Sequence, residues 1–421
     1  MQSIVASFLV LAAAVSAADI SGEWDMTANT LGEASYARVI LKTEGNKVTG
    51  SLNELKLDGT LNGDKLSFTA KRPNGKTFGT FEAVVAGDRL SGTALWHETD
   101  KVEWTARRAA PPPAPRTLDF EPTEFHRLFS DAIPPVLHLF PGDTVRTWTV
   151  DAGGVDPKGA HRSQGGNPET GPFYIEGAIP GDTLVVKLNK VRLNRDWAES
   201  GDRIAGSALS PGYVEDTKYK DNFDSTWILD RDKGIARLKN PTGRLKNYTV
   251  KLQPMMGCLA VAPPAHQAMR TGYLGSFGGN MDYNQMREGA TIYLPVYAPG
   301  ALFFLGDGHA AQGDGELTGD ALETSMQVEF TVSLIKGESM GGPRAENDEY
   351  LMSLGVGNSL DDALRMATTR LANWLQKDYK LAPNEAALVL GTAMRYDIAE
   401  VVDPLVHIVA KVPKSVLAPL K

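Results

Sequence analysis

One turn recurs between apolar runs and limits what this chain can fold into. Pro141-Gly142-Asp143-Thr144 separates the runs 136–140 and 145–150, and Pro180-Gly181-Asp182-Thr183 separates 173–178 from 184–188. A looser copy, Ala298-Pro299-Gly300, lies between 292–297 and 301–305. Proline presets the first turn dihedral and glycine accepts the positive second one, so strands on either side can pair. The short spacing of such turns, with 42 glycines and 25 prolines in 421 residues, argues for a mainly β chain. Its recurrence suggests sheets layered on one another. A doubly wound nucleotide-binding sheet is not indicated, because no Gly-x-Gly-x-x-Gly or Walker sequence links a strand to a helix.

Composition narrows the function classes. Hydrophobic residues make up 42% and charged residues 22%, which suits a globular chain with a sizeable core. The net charge of −8 and the lack of a basic patch argue against nucleic acid as a partner. The single cysteine, Cys258, excludes an intrachain disulfide and any cysteine-clustered metal site. Residues 1–18, MQSIVASFLVLAAAVSAA, read as a secretory signal peptide: a short apolar run at 4–15, then a small-x-small cleavage site. They depart from the pattern in having no Lys or Arg before the run. The expectation is export to the periplasm or the exterior, with no membrane span in the mature chain.

Two domains follow. Residues 19–108 alternate apolar and polar positions at 36–43, 47–52, 65–70, 77–85 and 89–96, separated by turn residues. Gly63-Asp64-Lys65-Leu66-Ser67 returns as Gly87-Asp88-Arg89-Leu90-Ser91, one hairpin turn used twice. This predicts a small antiparallel β-barrel or sandwich. Gly22-x-Trp24 is similar to the opening of lipocalin-like barrels, and Trp24, Trp96 and Trp104 read as core. Residues 109–118 form a Pro-rich linker, in which Pro111-Pro112-Pro113 hold an extended conformation. Residues 119–421 form the second domain, a layered β-sandwich type ending in helices. Ser359 is the expected N-cap, with Asp361 and Asp362 in the first turn. Apolar positions then recur at helical spacing to about Asp378, and a second helix is expected after Pro383.

The densest polar segment, Gly306-Asp307-Gly308-His309-Ala310-Ala311-Gln312-Gly313-Asp314-Gly315-Glu316, follows an apolar strand. Asp307 and His309 are two apart and share a face of an extended chain, and the glycines let Glu316 return toward them. Carboxylate, imidazole and carboxylate suit zinc or a similar divalent ion. A tight acidic turn, with or without calcium, is the plainer alternative, though EF-hand spacing is absent. Asn280 and Asp282 also share a face, or else cap a loop. Asp151 closes the strand ending at Val150. Glu176 is a carboxylate in an apolar strand, either paired at an edge or carrying a raised pKa. Cys258 lies among apolar residues and reads as an inert buried thiol, with His266 its nearest histidine in sequence.

The second domain resembles the acetamidase/formamidase family over about residues 119–415. The resemblance is carried by Thr170-Gly171-Pro172-Phe173-Tyr174-Ile175-Glu176-Gly177-Ala178, Gly257-Cys258, Val261-Ala262-Pro263, Gly279-Asn280-Met281-Asp282, Leu294-Pro295-Val296 and the segment from Gly306 to Glu316. It implies a metal-assisted hydrolase of short amides, with Asp282, Asp307, His309 and Glu316 in one site. A divalent metal, zinc with calcium as the other candidate, is expected on Asp282 and His309 with Asp307 or Asp151. Glu316, or else Glu176, would carry the proton, and Asn280 would orient a small amide substrate. The apolar C-terminal helices offer a surface for a homo-oligomer. Two other readings stand beside this one: a thiol amidase using Cys258, and a non-catalytic ligand- or carbohydrate-binding protein with a structural divalent metal.

Overall fold

A computed structural model describes residues 19–420 apart from residue 98; the expected signal peptide lies outside the described residues. The chain forms two compact units, one ending at Pro111 and the other starting at Pro112. No helix among the described residues is long and apolar enough to cross a membrane.

The first unit is a closed antiparallel barrel of eight strands: Gly22–Thr30, Glu33–Glu44, Lys47–Leu52, Leu55–Asn62, Lys65–Lys71, Thr77–Ala86, Arg89–Trp96 and Asp100–Arg108. The first strand pairs with the last, Trp24 opposite Arg108, so no free edge remains. Closure decides between the barrel and the sandwich that alternation alone left open. Inward positions fill the interior, with Phe68 stacked on Phe81 at 4.6 Å and Trp104 edge-on to both at 6.0 Å. Trp24 is fully buried; its indole N–H donates to the Ile20 carbonyl at 3.0 Å, and the Arg108 guanidinium covers its ring at 4.4 Å. The Gly22-x-Trp24 pair thus seals one end of the barrel.

The second unit layers a nine-stranded sheet on a six-stranded one. Phe173 and Phe303 of the smaller sheet pack edge-on against Phe330 of the larger, each at 5.3 Å. The recurrent Pro-Gly turns do not close hairpins. Leu137–Leu139 lies in the six-stranded sheet, but Thr144–Thr149, after the turn, lies in the nine-stranded one. Thr170–Ile175 and Thr183–Leu193 divide in the same way, as do Phe303–His309 and Thr291–Pro295. Each turn is a corner that carries the chain between layers. Glycine takes the positive dihedral at all three, with φ of 102° at Gly142, 97° at Gly181 and 76° at Gly300. The aspartate tightens two of the corners. Asp143 accepts from the Phe140 N–H at 2.9 Å and from the Arg116 guanidinium at 2.5 Å. Asp182 accepts from Ile179 N–H at 3.1 Å and Gly337 N–H at 2.7 Å. The expected linker is shorter than read, because Thr117–Asp119 joins the nine-stranded sheet beside Thr144–Thr149.

Both helices form where expected. Ser359 Oγ accepts from the Asp362 N–H at the start of Leu360–Asp378, and Glu385 accepts from the Ala382 N–H at the start of Pro383–Ala393. Ala363, Ala367 and Leu371 pack on Leu351, Ile408 and Ala410 of the nine-stranded sheet. Gly355 permits this approach, since a Cβ there would lie 2.0 Å from the Ala363 carbonyl oxygen.

Candidate functional site

The site grows from the middle of the six-stranded sheet. Phe303–His309 runs between Thr170–Ile175 and Met255–Ala260, and Gly278–Asn280 is the next strand out. Asp307 and His309 come from the first of these, on one face as the i, i+2 spacing requires. His309 Nε2 lies 3.4 Å from Asp307 Oδ1. Asp282 follows Gly278–Asn280 directly, brought in by Met281 and Asp282 N–H groups that donate to the Gly257 carbonyl at 2.9 and 3.1 Å. Glu323 arrives through an antiparallel bridge to His309, placing Glu323 Oε1 3.1 Å from His309 Nε2. The intervening loop turns Glu316 Oε1 to 4.0 Å from the same nitrogen. Gly315 also bridges to Glu400, which draws the segment bearing Asp403 to the cluster.

These groups are enclosed. Asp282, Asp307, His309, Glu316 and Glu323 are all buried. They lie beside a cavity of about 590 Å³ lined in part by Asn167, Asn280, Asp307, Glu316, Glu323 and Asp403. Asn167, Asp282, Asp307 and Glu316 take positive φ values of 52°, 38°, 55° and 46°. Non-glycine residues bear such strain only where surrounding structure holds them, and it gathers at functional sites.

Hydrogen bonds define which atoms face the cluster. Gln312 Nε2 donates to the carbonyls of Asp282 at 2.5 Å and Ala399 at 3.2 Å. Its Oε1 therefore faces His309 Nδ1 at 2.9 Å, so Nδ1 carries a proton and Nε2 points at the carboxylates. Asn280 Nδ2 donates to Asp282 Oδ2 at 2.5 Å and Asp403 Oδ2 at 2.8 Å, while its Oδ1 accepts from Asn167 Nδ2 at 2.8 Å. Asn167 also donates to Asp307 Oδ2 at 3.2 Å. The asparagine pair thus spaces three carboxylates.

Burial opposes charge on the His309 imidazole, but the Glu323 and Asp307 carboxylates outweigh it and hold its pKa well above the usual value. Burial, with Asp307 nearby, pushes Glu323 up to about 8. Burial and the Glu323, Asp307 and Asp403 charges push Glu316 well up. The surplus of carboxylates over bases gives the cluster the electrostatics of a cation site.

Two overlapping ligand sets result: Asp282, His309 and Glu316, and Asp307, His309 and Glu323, each with ligand atoms within 4.8 Å of one another. Four of the sequence-derived residues, Asp282, Asp307, His309 and Glu316, meet here with Asn280 between them. Two do not. Asp151 lends its carboxylate to Arg195 Nη2 at 2.6 Å and to the Val155 N–H at 2.8 Å, and it belongs to neither set. Glu176 is a partly exposed partner of His138 Nδ1 at 2.7 Å, away from the cavity lining. Asn280 lines the cavity, but its amide is spent on neighbours, so it acts as a spacer of carboxylates. Sequence reasoning missed Glu323, Asp403 and the role of Asn167. Glu323 carries the same signal as Glu176, a lone carboxylate among less polar residues, and only packing separates the two. Cys258 is fully buried, and burial with the Glu169 and Asp307 carboxylates pushes its thiol well up, so it stays protonated. His266 pairs with Asp131 at the surface.

A layered β fold around a buried acidic cluster with one imidazole defines a candidate hydrolase domain. Residues 245–417 match the model of the acetamidase/formamidase family. A putative formamidase of Schizosaccharomyces pombe is 27% identical over 210 residues, 40% of this chain and 51% of that protein. The formamidase of Methylophilus methylotrophus is 25% identical over 282 residues, 52% of this chain and 67% of that protein. The chain therefore spans about half the length of the first of these relatives and two thirds of the second. A solved structure of the acetamidase from Yersinia enterocolitica is 29% identical, covers 72% of this chain and 94% of that one, and superposes with a TM-score of 0.62.

Proposed function

We propose that the second unit is a divalent-metal amidohydrolase that cleaves the C–N bond of small linear amides to a carboxylate and ammonia. The observation that carries this is a set of buried ligand atoms, without well-aligned hydrogen bonds, converging beside one cavity. Asp282 Oδ1, Asp307 Oδ1, Glu323 Oε2 and His309 Nε2 are shielded from solvent and form no well-aligned hydrogen bond. Buried polar atoms are rarely left so, and a cation held by either of the two overlapping ligand sets would engage the atoms of that set. The match of residues 245–417 to the family model and the formamidase and acetamidase relatives support the reaction class.

His309, Asp307 and Glu323 would hold the ion, with Asp282 beside them. The imidazole favours zinc over calcium, which takes oxygen ligands. Such an ion supplies Lewis acidity toward water and an amide carbonyl. The chain supplies the rest. Gln312 fixes the His309 tautomer. Glu316, held by the Ala321 N–H at 3.0 Å, takes a proton from water and passes it to the leaving nitrogen. Asn280 and Asn167 keep the carboxylates apart, and the walls of the cavity limit bulk water.

The test is ammonia release from a panel of short amides, as purified, after chelation, and after adding zinc or calcium. Activity lost on chelation and restored by zinc supports the proposal. Amide turnover that survives complete metal removal defeats the metal assignment, and no turnover with metal bound defeats the reaction class. Export and self-association through the helical face, where Leu364 and Leu388 are exposed, belong to the same proposal. Fractionation of expressing cells and sedimentation of the full chain test them.

A further inference from the structure

The cavity is larger than a simple amide requires, and its exposed lining includes two arginines. Its volume of about 590 Å³ sits in the range of sites for sizeable ligands, roughly 300–1,000 Å³, whereas acetamide has only a handful of heavy atoms. Its buried side is carboxylate-rich, from Asp307, Glu316 and Glu323. Its exposed lining carries Arg127 and Arg270, with Asp320 the exposed acid among them.

The two arginines are set there by a small ribbon. Leu128–Phe129 pairs antiparallel with Met269–Arg270, so Leu128 lies opposite Arg270 and Arg127 sits beside it. The ribbon is tied to the site from both sides. His126 and Glu169 exchange backbone hydrogen bonds at 2.9 and 2.7 Å. The Thr271 N–H donates to the Arg127 carbonyl at 3.2 Å, and Thr271 Oγ1 donates to the Gly166 carbonyl at 2.9 Å. Tyr273, also on the rim, accepts at its carbonyl from the Asn280 N–H at 3.1 Å. The rim is therefore held in register with the asparagine that spaces the carboxylates.

Neither guanidinium forms an ion pair among the described residues. Arg127 makes one long contact, Nη1 to the Gly165 carbonyl at 3.5 Å, and Arg270 makes none. Most other arginines in this unit are matched to acids, as Arg116 is to Asp143 and Arg195 to Asp151. Arginine stays charged at any working pH, and its planar fork suits a carboxylate.

We infer that the preferred substrate is an amide bearing a carboxylate at its far end, with Arg127 and Arg270 binding that carboxylate. This rests on the amide-hydrolysis reading and names its substrate class. The polarity of the cavity orients such a molecule: the amide turns toward the carboxylate cluster and its cation, and the anion turns toward the rim. A neutral amide of equal length gains nothing from the rim.

The experiment compares succinamate, the half-amide of a four-carbon diacid, with butyramide, using metal-loaded full-length protein. The expected kcat/KM ratio favours succinamate by about tenfold or more, and this preference shrinks as ionic strength rises. Arg270→Gln and Arg127→Gln should each lower that ratio by about tenfold, mainly through KM for succinamate. Equal kcat/KM for the two amides, or a ratio unmoved in both variants, overturns the inference while leaving amide hydrolysis intact. Calorimetric binding of succinamate separates the remaining cases. Binding that weakens in Arg270→Gln supports the anion site even without turnover, in which case it is the reaction class that fails. No binding and no turnover of succinamate overturns the site.

Discussion

Gly257→Ala adds one methyl group at the point where two candidate ligands meet. Gly257 lies in Met255–Ala260, opposite the strand that bears Asp307, and its backbone dihedral is one that alanine adopts without strain. A Cβ there would lie 2.3 Å from Asp282 Oδ1 and 2.7 Å from Asp307 Oδ2, with the Asp307 carbonyl oxygen at 3.0 Å. Ordinary carbon–oxygen contact needs roughly 1 Å more than the shortest of these. The sheet cannot yield that distance, because Gly257 is flanked by fully buried Met256 and Cys258. The carboxylates must move instead. A displacement of about 1 Å typically costs about 100-fold in rate, and a disturbed ligand shell costs about 10- to 100-fold in metal affinity. Overpacking of this size lowers stability by about 1–3 kcal/mol, which a domain of this length tolerates. The assay has three readouts: zinc affinity by competition with a chelating dye, ammonia release at saturating zinc, and circular dichroism with a thermal melt. The expected variant is folded, binds zinc at least tenfold more weakly and loses about 100-fold in kcat/KM. A folded variant with unchanged zinc affinity and activity would refute the placing of Asp282 and Asp307 among the ion's ligand sets.

Three other outcomes follow from the geometry. Glu316→Gln should lower kcat by about 100-fold or more while metal content, measured by elemental analysis, is retained; Glu176→Gln should change neither, since Glu176 is engaged with His138. Comparable kinetics for the two variants would reverse that assignment. His407 is fully buried, bonded through Nδ1 to the Met281 carbonyl at 2.7 Å, and burial with Arg370 nearby lowers its pKa to about 4. Its folded pKa lies below the unfolded value near 6.5, so the unfolded chain binds the extra proton between those pH values. Stability therefore falls as pH drops from about 6.5 to 4, by up to roughly 3 kcal/mol. Urea midpoints should show that slope and lose it in His407→Gln; a slope of the same size in the variant assigns the loss to another group. Asp143→Ala strips the Phe140 N–H and the Arg116 side chain of their acceptor at a layer corner, at a cost of about 3 kcal/mol read from chemical denaturation, and a change under about 0.5 kcal/mol would show that proline and glycine alone hold the corner.

Much of the local structure was legible in the chain itself. Period-two alternation marks one strand after another in the first unit, and Gly22-x-Trp24 marks its opening strand. Ser359 and Pro383 mark the helix starts, because capping is decided by a few neighbouring atoms. The Asp307–His309 pair was legible for the same reason, since two residues apart on a strand means one face. What lies far apart in sequence was settled by packing. A Pro-Gly turn has nearly the same dihedrals whether it closes a hairpin or carries the chain to another layer, so only the pairing of the flanking strands decides. Asp151, Glu176 and Glu323 look alike as single carboxylates. Arg195 takes the first and His138 the second, and the bridge to His309 sets Glu323 against the imidazole beside the cavity. Burial and partner choice are properties of the assembled layers. They determine which carboxylates remain available to an ion, and no spacing along the chain encodes them.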